Sequence, residues 1–286
     1  MLNSIRQEGL GKLQSSNIVT SSFYDASGTV EVRVWEASGY GTYPQVNCSV
    51  DPDFVLVGGG AYVINGYGLL TASYPQDASL TTWVARSKEH LYSSPHTLIC
   101  YAIGIKLMNI SKSTLMQYMS LRTNVSSVNN SYTSTSVSLP SGYLLIGGGA
   151  SVPAGAGQLL CQSNPSGQTT WQAAARAHGY YYTTSVTSYA IGINPRIAGF
   201  GNLDVKCYQA ASHFIGSGCD DVQSYPESGY VLSCVGGRCT WNGMGRMLYK
   251  LQPNTTYGLS AVAGSKDHQG TCSGETFVYV CELKKI

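Results

Sequence analysis

The chain has 286 residues, of which 43% are hydrophobic and 11% charged, with a formal net charge of +2. A soluble domain averages about 25% charged residues, so Ser, Thr, Asn, Gly and Tyr supply most of this polar surface. Such a chain has no electrostatic footprint for nucleic acid or anionic lipid, and its evenly spread apolar residues exclude disorder.

Residues 1–18 lack the apolar core of a signal peptide, and Gly9 and Gly11 weaken any helix there, so they read as a tail or packing arm. Beyond the tail the chain repeats itself, which makes the repeat the first thing to interpret. Phe54-Val-Leu-Val-Gly-Gly-Gly-Ala61 returns as Tyr143-Leu-Leu-Ile-Gly-Gly-Gly-Ala150 and, in worn form, as Tyr230-Val-Leu-Ser-Cys-Val-Gly-Gly237. Equating Gly58, Gly147 and Gly236 gives two steps of 89 residues; equating Tyr143 with Tyr230 gives 87 instead. Thr81-Thr82-Trp83 recurs as Thr169-Thr170-Trp171 and Thr255-Thr256-Tyr257, and Pro75, Pro165 and Pro253 keep step. Each unit closes on an apolar strand, at Tyr101, Tyr189 and Tyr279.

The first unit reads as six strands: Glu31–Ala37, Val46–Val50, Phe54–Ile64, Leu69–Tyr74, Thr82–Ser87 and Thr97–Leu107. Alternation, β-branched residues and intervening Gly, Pro, Asn and Asp carry that reading. The expected fold is all-β. Three tandem units of about 89 residues, at 19–110, 111–198 and 199–286, would pack as a compact pseudo-threefold body, sandwich- or prism-like. Each unit could bury a small core alone, although domains below about 100 residues are marginal, and the short links Lys106–Thr114 and Asn194–Leu203 favour units that touch. The Gly triplets are followed by strand and not by helix, so they read as bulges or close crossings and not as phosphate loops.

Nine cysteines are unevenly placed. Cys48 and Cys100 are replaced together in the second unit, by Val137 and Ser188, as expected of a bonded pair. Their bond would close a loop of about 50 residues and contribute roughly 3–4 kcal/mol. The six cysteines of the third unit allow 15 pairings, none spaced as a zinc motif. These features point to disulfides, no metal and a secreted or cell-surface protein.

No nucleophile elbow, metal-binding helix or recurring carboxylate pair is present, so an enzyme is not expected, and neither is a cofactor. What recurs is an aromatic residue, a polar strand and then a histidine: Trp83 with His90, Trp171 with His178, Tyr257 with His268. An aromatic face beside hydrogen-bonding groups suits a sugar ring, and three weak sites gain avidity. The ordinary alternative makes the tryptophans core anchors. Tyr180-Tyr-Tyr182 and Gly39-Tyr-Gly-Thr-Tyr43 read as exposed loops. The expected function is lectin-like recognition of a cell-surface glycan or receptor, with homo-oligomers compatible. No stretch is long and apolar enough for a transmembrane helix. The runner-up is a pore-forming or insecticidal toxin component, motivated by the Ser/Thr-rich stretch Leu121–Leu139, read as a hairpin able to insert in a membrane.

Overall fold

A computed structural model describes residues 17–65, 67–89, 94–155, 157–177, 181–242, 245–267 and 271–286. The first third of the chain forms β1 (Ile18–Tyr24), β2 (Val30–Gly41), β3 (Gln45–Ser49) and β4 (Val55–Ile64). It continues with β5 (Leu69–Pro75), β6 (Thr82–Lys88) and β7 (His96–Leu107). A single turn of helix, α1 (Lys112–Met116), leads to β8 (Met119–Val125) and β9 (Tyr132–Ser138). Then come β10 (Leu144–Ser151), β11 (Leu159–Pro165), β12 (Thr170–Arg176) and β13 (Thr187–Ile193). The last third holds β14 (Arg196–Ile197), β15 (Gly201–Ile215), β16 (Cys219–Ser224), β17 (Val231–Cys239), β18 (Met247–Asn254), β19 (Ser260–Lys266) and β20 (Gly274–Lys285). All six strands expected in the first unit are present, and β1 is added as an edge strand on β2.

The protein is all-β, with three antiparallel sheets packed together. Their strand orders are β1-β2-β7-β4-β18-β19-β16, β3-β6-β5-β10-β13-β8 and β14-β15-β20-β17-β11-β12-β9. Each sheet therefore joins two remote chain segments at one seam: β4 to β18, β5 to β10, β11 to β17. The core follows from alternation. On β2, Val30, Val32 and Val34 are fully buried while Glu31 and Arg33 sit on the other face.

The seam strands β4, β10 and β17 also pack on one another at the centre of the molecule. All three carry a β-bulge at the same place, between Leu56 and Gly58, Leu145 and Gly147, and Leu232 and Cys234. Pairing register thus equates Gly58 and Gly147 with Cys234, the 87-residue step, and corrects the expected match to Gly236. Gly236 instead corresponds to Gly60 and Gly149, since these three face Tyr279, Tyr101 and Tyr189 across their ladders.

Each glycine of the triplet has its own steric reason. A Cβ on Gly58 would fall 2.2 Å from Ser233 O, and one on Gly147 2.0 Å from Val57 O, at the central contact. A Cβ on Gly59 or Gly148 would strike the ring of Trp83 (2.5 Å) or Trp171 (2.3 Å). On Gly60 or Gly149 it would meet the neighbouring seam strand, 2.0 Å from Leu251 O or 2.4 Å from Ser73 O. The expected close crossing is what these positions provide.

Two expectations fail. The stretch Leu121–Leu139 is not a hairpin: β8 pairs with β13 in one sheet and β9 with β12 in another. Asn124 Nδ2 donates across the gap to Thr135 Oγ1 and Ser136 O, so side-chain bonds stand in for a ladder. The Cys48–Cys100 disulfide is absent as well; both are buried thiols. Cys48 lies opposite Trp83 as Val137 lies opposite Trp171, where it acts as a small apolar side chain. Cys100 Sγ donates to Trp83 O (3.5 Å) just as Ser188 Oγ donates to Trp171 O (2.9 Å). The paired replacements reflect two packing jobs around one tryptophan. Of the third-unit cysteines only Cys207 and Cys281 are bonded, across β15 and β20; the other four are thiols.

Candidate functional site

The tryptophans expected to face a ligand are core residues. Trp83 is 1% exposed and Trp171 fully buried, and their indole N–H groups are satisfied by Ser73 Oγ (2.9 Å) and Ser163 Oγ (3.1 Å). Neither ring has a face left for a sugar. Tyr257 is 85% exposed but is not their counterpart: Ala261 is, because it faces Pro253 as Trp83 faces Pro75 and Trp171 faces Pro165. In the third unit the register of Gly59 and Gly148 is held by Val235, so a larger residue stands at the glycine position where alanine replaces tryptophan. His90, His178 and His268 lie outside the described residues.

Exposed aromatics gather elsewhere, at corresponding turns. Tyr40 and Tyr43 flank the β2–β3 turn, Tyr132 follows the β8–β9 turn, and Phe214 precedes the β15–β16 turn, all exposed. Tyr181 and Tyr182 are exposed beside Tyr132's turn, where Tyr182 N donates to Asn130 O. The two tyrosine-rich loops read from the sequence are therefore on the surface at their described positions.

Cations meet aromatic rings near each sheet seam. At β4–β18, Lys250 Nζ lies 4.0 Å from the centroid of Tyr62, with Tyr249 beside it. At β5–β10, Tyr74 stacks on Tyr189 at 4.8 Å and carries Arg86. At β11–β17, Arg176 covers Trp241 at 4.5 Å and Arg238 covers Phe277 at 5.4 Å. Such pairs are worth about 0.5–1 kcal/mol each at exposed sites.

The third seam also holds a cavity of about 360 Å³, lined by Tyr132, Gln162, Arg238, Thr240 and Trp241 over Cys161 and Cys239. Strand geometry places them. Gln162 and Arg238 are directly paired across β11 and β17, and Tyr132 lies opposite Arg176 across β9 and β12. Gln162 is held by Gln172 at 2.9 Å. Burial pushes the Cys161 thiol up to about 12 against the pull of Arg176 and Arg238, and burial holds Cys239 well above its usual range. Both remain protonated at neutral pH, so the floor is inert and not nucleophilic. Cys239 Sγ donates to Arg246 O (3.1 Å), which fixes it there. A larger cavity of about 510 Å³, beside β1 and β7, has Tyr24 as its only aromatic wall and is rimmed mainly by backbone turns.

Among the described residues, no group of three or more His, Cys, Asp or Glu gathers that could hold a metal ion. His213 Nδ1 meets Asp220 Oδ1 at 2.7 Å, but among the described contacts no serine or cysteine joins that dyad. Sequence reasoning missed the seam cavity because its residues come from three strands and a loop that only the sheet order brings together. Trp241 has no partner in the repeat, but neither has Trp35, which is a core residue, so that feature alone did not mark the site.

No protein-family model matches the chain, and no curated protein resembles it in sequence.

Proposed function

We propose that the protein is a non-enzymatic binding protein that recognises a cell-surface glycan or glycosylated receptor. The observation that carries this reading is the seam cavity. It sets the aromatic walls Tyr132 and Trp241 beside an amide, a hydroxyl and a guanidinium, and its volume falls at the small end of ligand sites. Those elements match a saccharide, which offers an apolar ring face and a rim of hydroxyls. Exposed aromatics at three corresponding turns support multivalency, since tyrosine gives contact area at low entropic cost. A secreted or surface location belongs to the same proposal and rests on the near-neutral, hydroxyl-rich surface.

The test combines a glycan array with a liposome dye-release assay. Sugar-inhibitable binding without leakage is the expected result. Leakage without glycan binding would overturn it in favour of a membrane-damaging toxin component. Among the described residues no helix is long and apolar enough to cross a membrane, which leaves strands as the route such a toxin would need.

A further inference from the structure

The three seams differ in one respect that bears on ligand charge. At β4–β18 the cation is already committed, because Lys250 Nζ donates to Asp221 Oδ2 at 2.6 Å. At β5–β10 the Arg86 guanidinium donates to Val152 O at 2.8 Å; it has no acidic partner among the described residues, and its Nε is buried without a hydrogen bond. At β11–β17 neither Arg176 nor Arg238 has an acidic partner among the described residues, and Arg238 hydrogen-bonds the Tyr279 hydroxyl. Arg176 Nη1 is buried and makes no hydrogen bond. Glu275, whose backbone N–H donates to Thr240 Oγ1, forms no ion pair with either arginine.

One positive charge, Arg238, therefore lines a cavity whose lining holds no negative one, and a second, Arg176, covers the ring of its Trp241 wall. Both are felt at its floor, where they pull on the Cys161 thiol, and Arg238 acts on Tyr132 in its wall. The planar fork of the Arg238 guanidinium suits carboxylate or sulfate. The anion would sit on Arg238, with the body of the ligand against Tyr132 and Trp241.

We propose that the β11–β17 cavity binds an anionic saccharide, its carboxylate or sulfate held by Arg238 and its ring laid on Tyr132 and Trp241. This rests on the glycan-binding reading above and adds the charge of the sugar and the address of the site.

Trp241 provides the readout, since Trp35, Trp83 and Trp171 are at most 1% exposed. Its fluorescence is titrated with glucuronate, with N-acetylglucosamine 6-sulfate and with glucose, in low salt and in 0.5 M NaCl as about the extremes of screening. The Trp241→Phe variant is the signal control. At least one acidic sugar is expected to bind about tenfold or more tightly than glucose, with the gap shrinking in high salt. The two acidic sugars separate carboxylate from sulfate. Arg238→Gln, at an exposed position, should remove the preference for acid while leaving the thermal midpoint close to that of the parent chain.

Equal affinity for glucose and both acidic sugars overturns the charge assignment and leaves the glycan reading standing. An acid preference untouched by Arg238→Gln overturns the address. If acetate and inorganic sulfate perturb Trp241 as strongly as the sugars do, the site is an anion site only and the saccharide assignment fails. Binding of no sugar, neutral or acidic, here and on the array, overturns both proposals together.

Discussion

A Cβ placed on Gly58 would fall 2.7 Å from the Cβ of Cys234, and the corresponding distance from Gly147 is 3.1 Å. Three strands thus meet where two give up their side chains and the third keeps one. Cys234 is fully buried there, its thiol donating to Gly148 O at 3.6 Å and pushed by burial up to about 11. The adjacent Ser233 Oγ donates to Ile146 O at 2.7 Å, which ties β17 to β10 beside the same point. The asymmetry has a packing logic. Two glycines and one cysteine fill a centre in which three cysteines would overlap and three glycines would leave a gap.

That centre gives the first prediction. Gly58→Ala must displace Ser233 O, a backbone atom, and is expected to cost more than about 3 kcal/mol, near the limit for overpacking. Cys234→Ala removes one sulfur from a place where two glycines already leave space, and should cost only about 1–2 kcal/mol. Urea unfolding of both variants decides the matter. A Gly58→Ala chain within 0.5 kcal/mol of the parent, about the limit for additive noise, would mean that the strands do not cross closely here.

The second prediction concerns the tryptophan–serine pairs. Ser163→Ala leaves the Trp171 indole N–H buried without its acceptor, and the expected loss is about 1–3 kcal/mol. Trp171→Ala should cost about 3–5 kcal/mol, since it empties a site fitted to Gly148. Stability rather than ligand binding is the readout that responds. Should Trp171→Ala abolish glycan binding in a chain with unchanged thermal stability, the core assignment of this residue is wrong.

Much of the fold was legible and the site was not, for a physical reason. Strand identity and the glycine triplets are local: alternation marks the strands, and a triplet that leads into a strand marks a close approach. The partner of each triplet is not local. Nothing in Gly60 announces that it crosses Leu251, because the sheet order that joins β4 to β18 depends on residues almost 200 positions apart. The repeated Thr-Thr-Trp run was visible, but repetition alone does not distinguish a shared core anchor from a shared binding platform; burial does. Tyr257 misled because its Thr-Thr-Tyr run lies in the β18–β19 turn, four residues before Ala261, which holds the tryptophan register. The seam cavity belongs to one interface only, so the repeat hides it.

The third prediction is a thiol count. Seven cysteines are free and only Cys219 among them is exposed. Cys48 is held at about 12 by burial, and Cys100 is raised well above its usual range for the same reason. The native protein should therefore react with about one equivalent of a thiol reagent, and the denatured, unreduced protein with seven. Five thiols after denaturation, with Cys48 and Cys100 protected together, would restore their disulfide.

The fourth prediction is a pH dependence. Asp25 joins the turn after β1 to the end of β20. Its Oδ1 accepts from Thr29 N and Val30 N, both at 3.1 Å, and its Oδ2 from Lys285 N at 2.9 Å. Burial pushes this carboxyl up, but these bonds and the one from Ser27 Oγ outweigh it, and the net shift is below the ordinary 3.8. A carboxyl whose folded pKa is depressed stabilises the fold above its unfolded value, and that contribution fades as pH falls through the folded one. Asp25→Asn should cost about 2 kcal/mol at neutral pH, since the amide cannot accept at both positions. The gap between parent and variant should narrow as pH drops below 3.8. Thermal unfolding of both chains from pH 7 down to about pH 2 measures that gap across the relevant window. A gap that stays constant over the whole range would show that the charge on Asp25 is not what holds the first turn to the last strand.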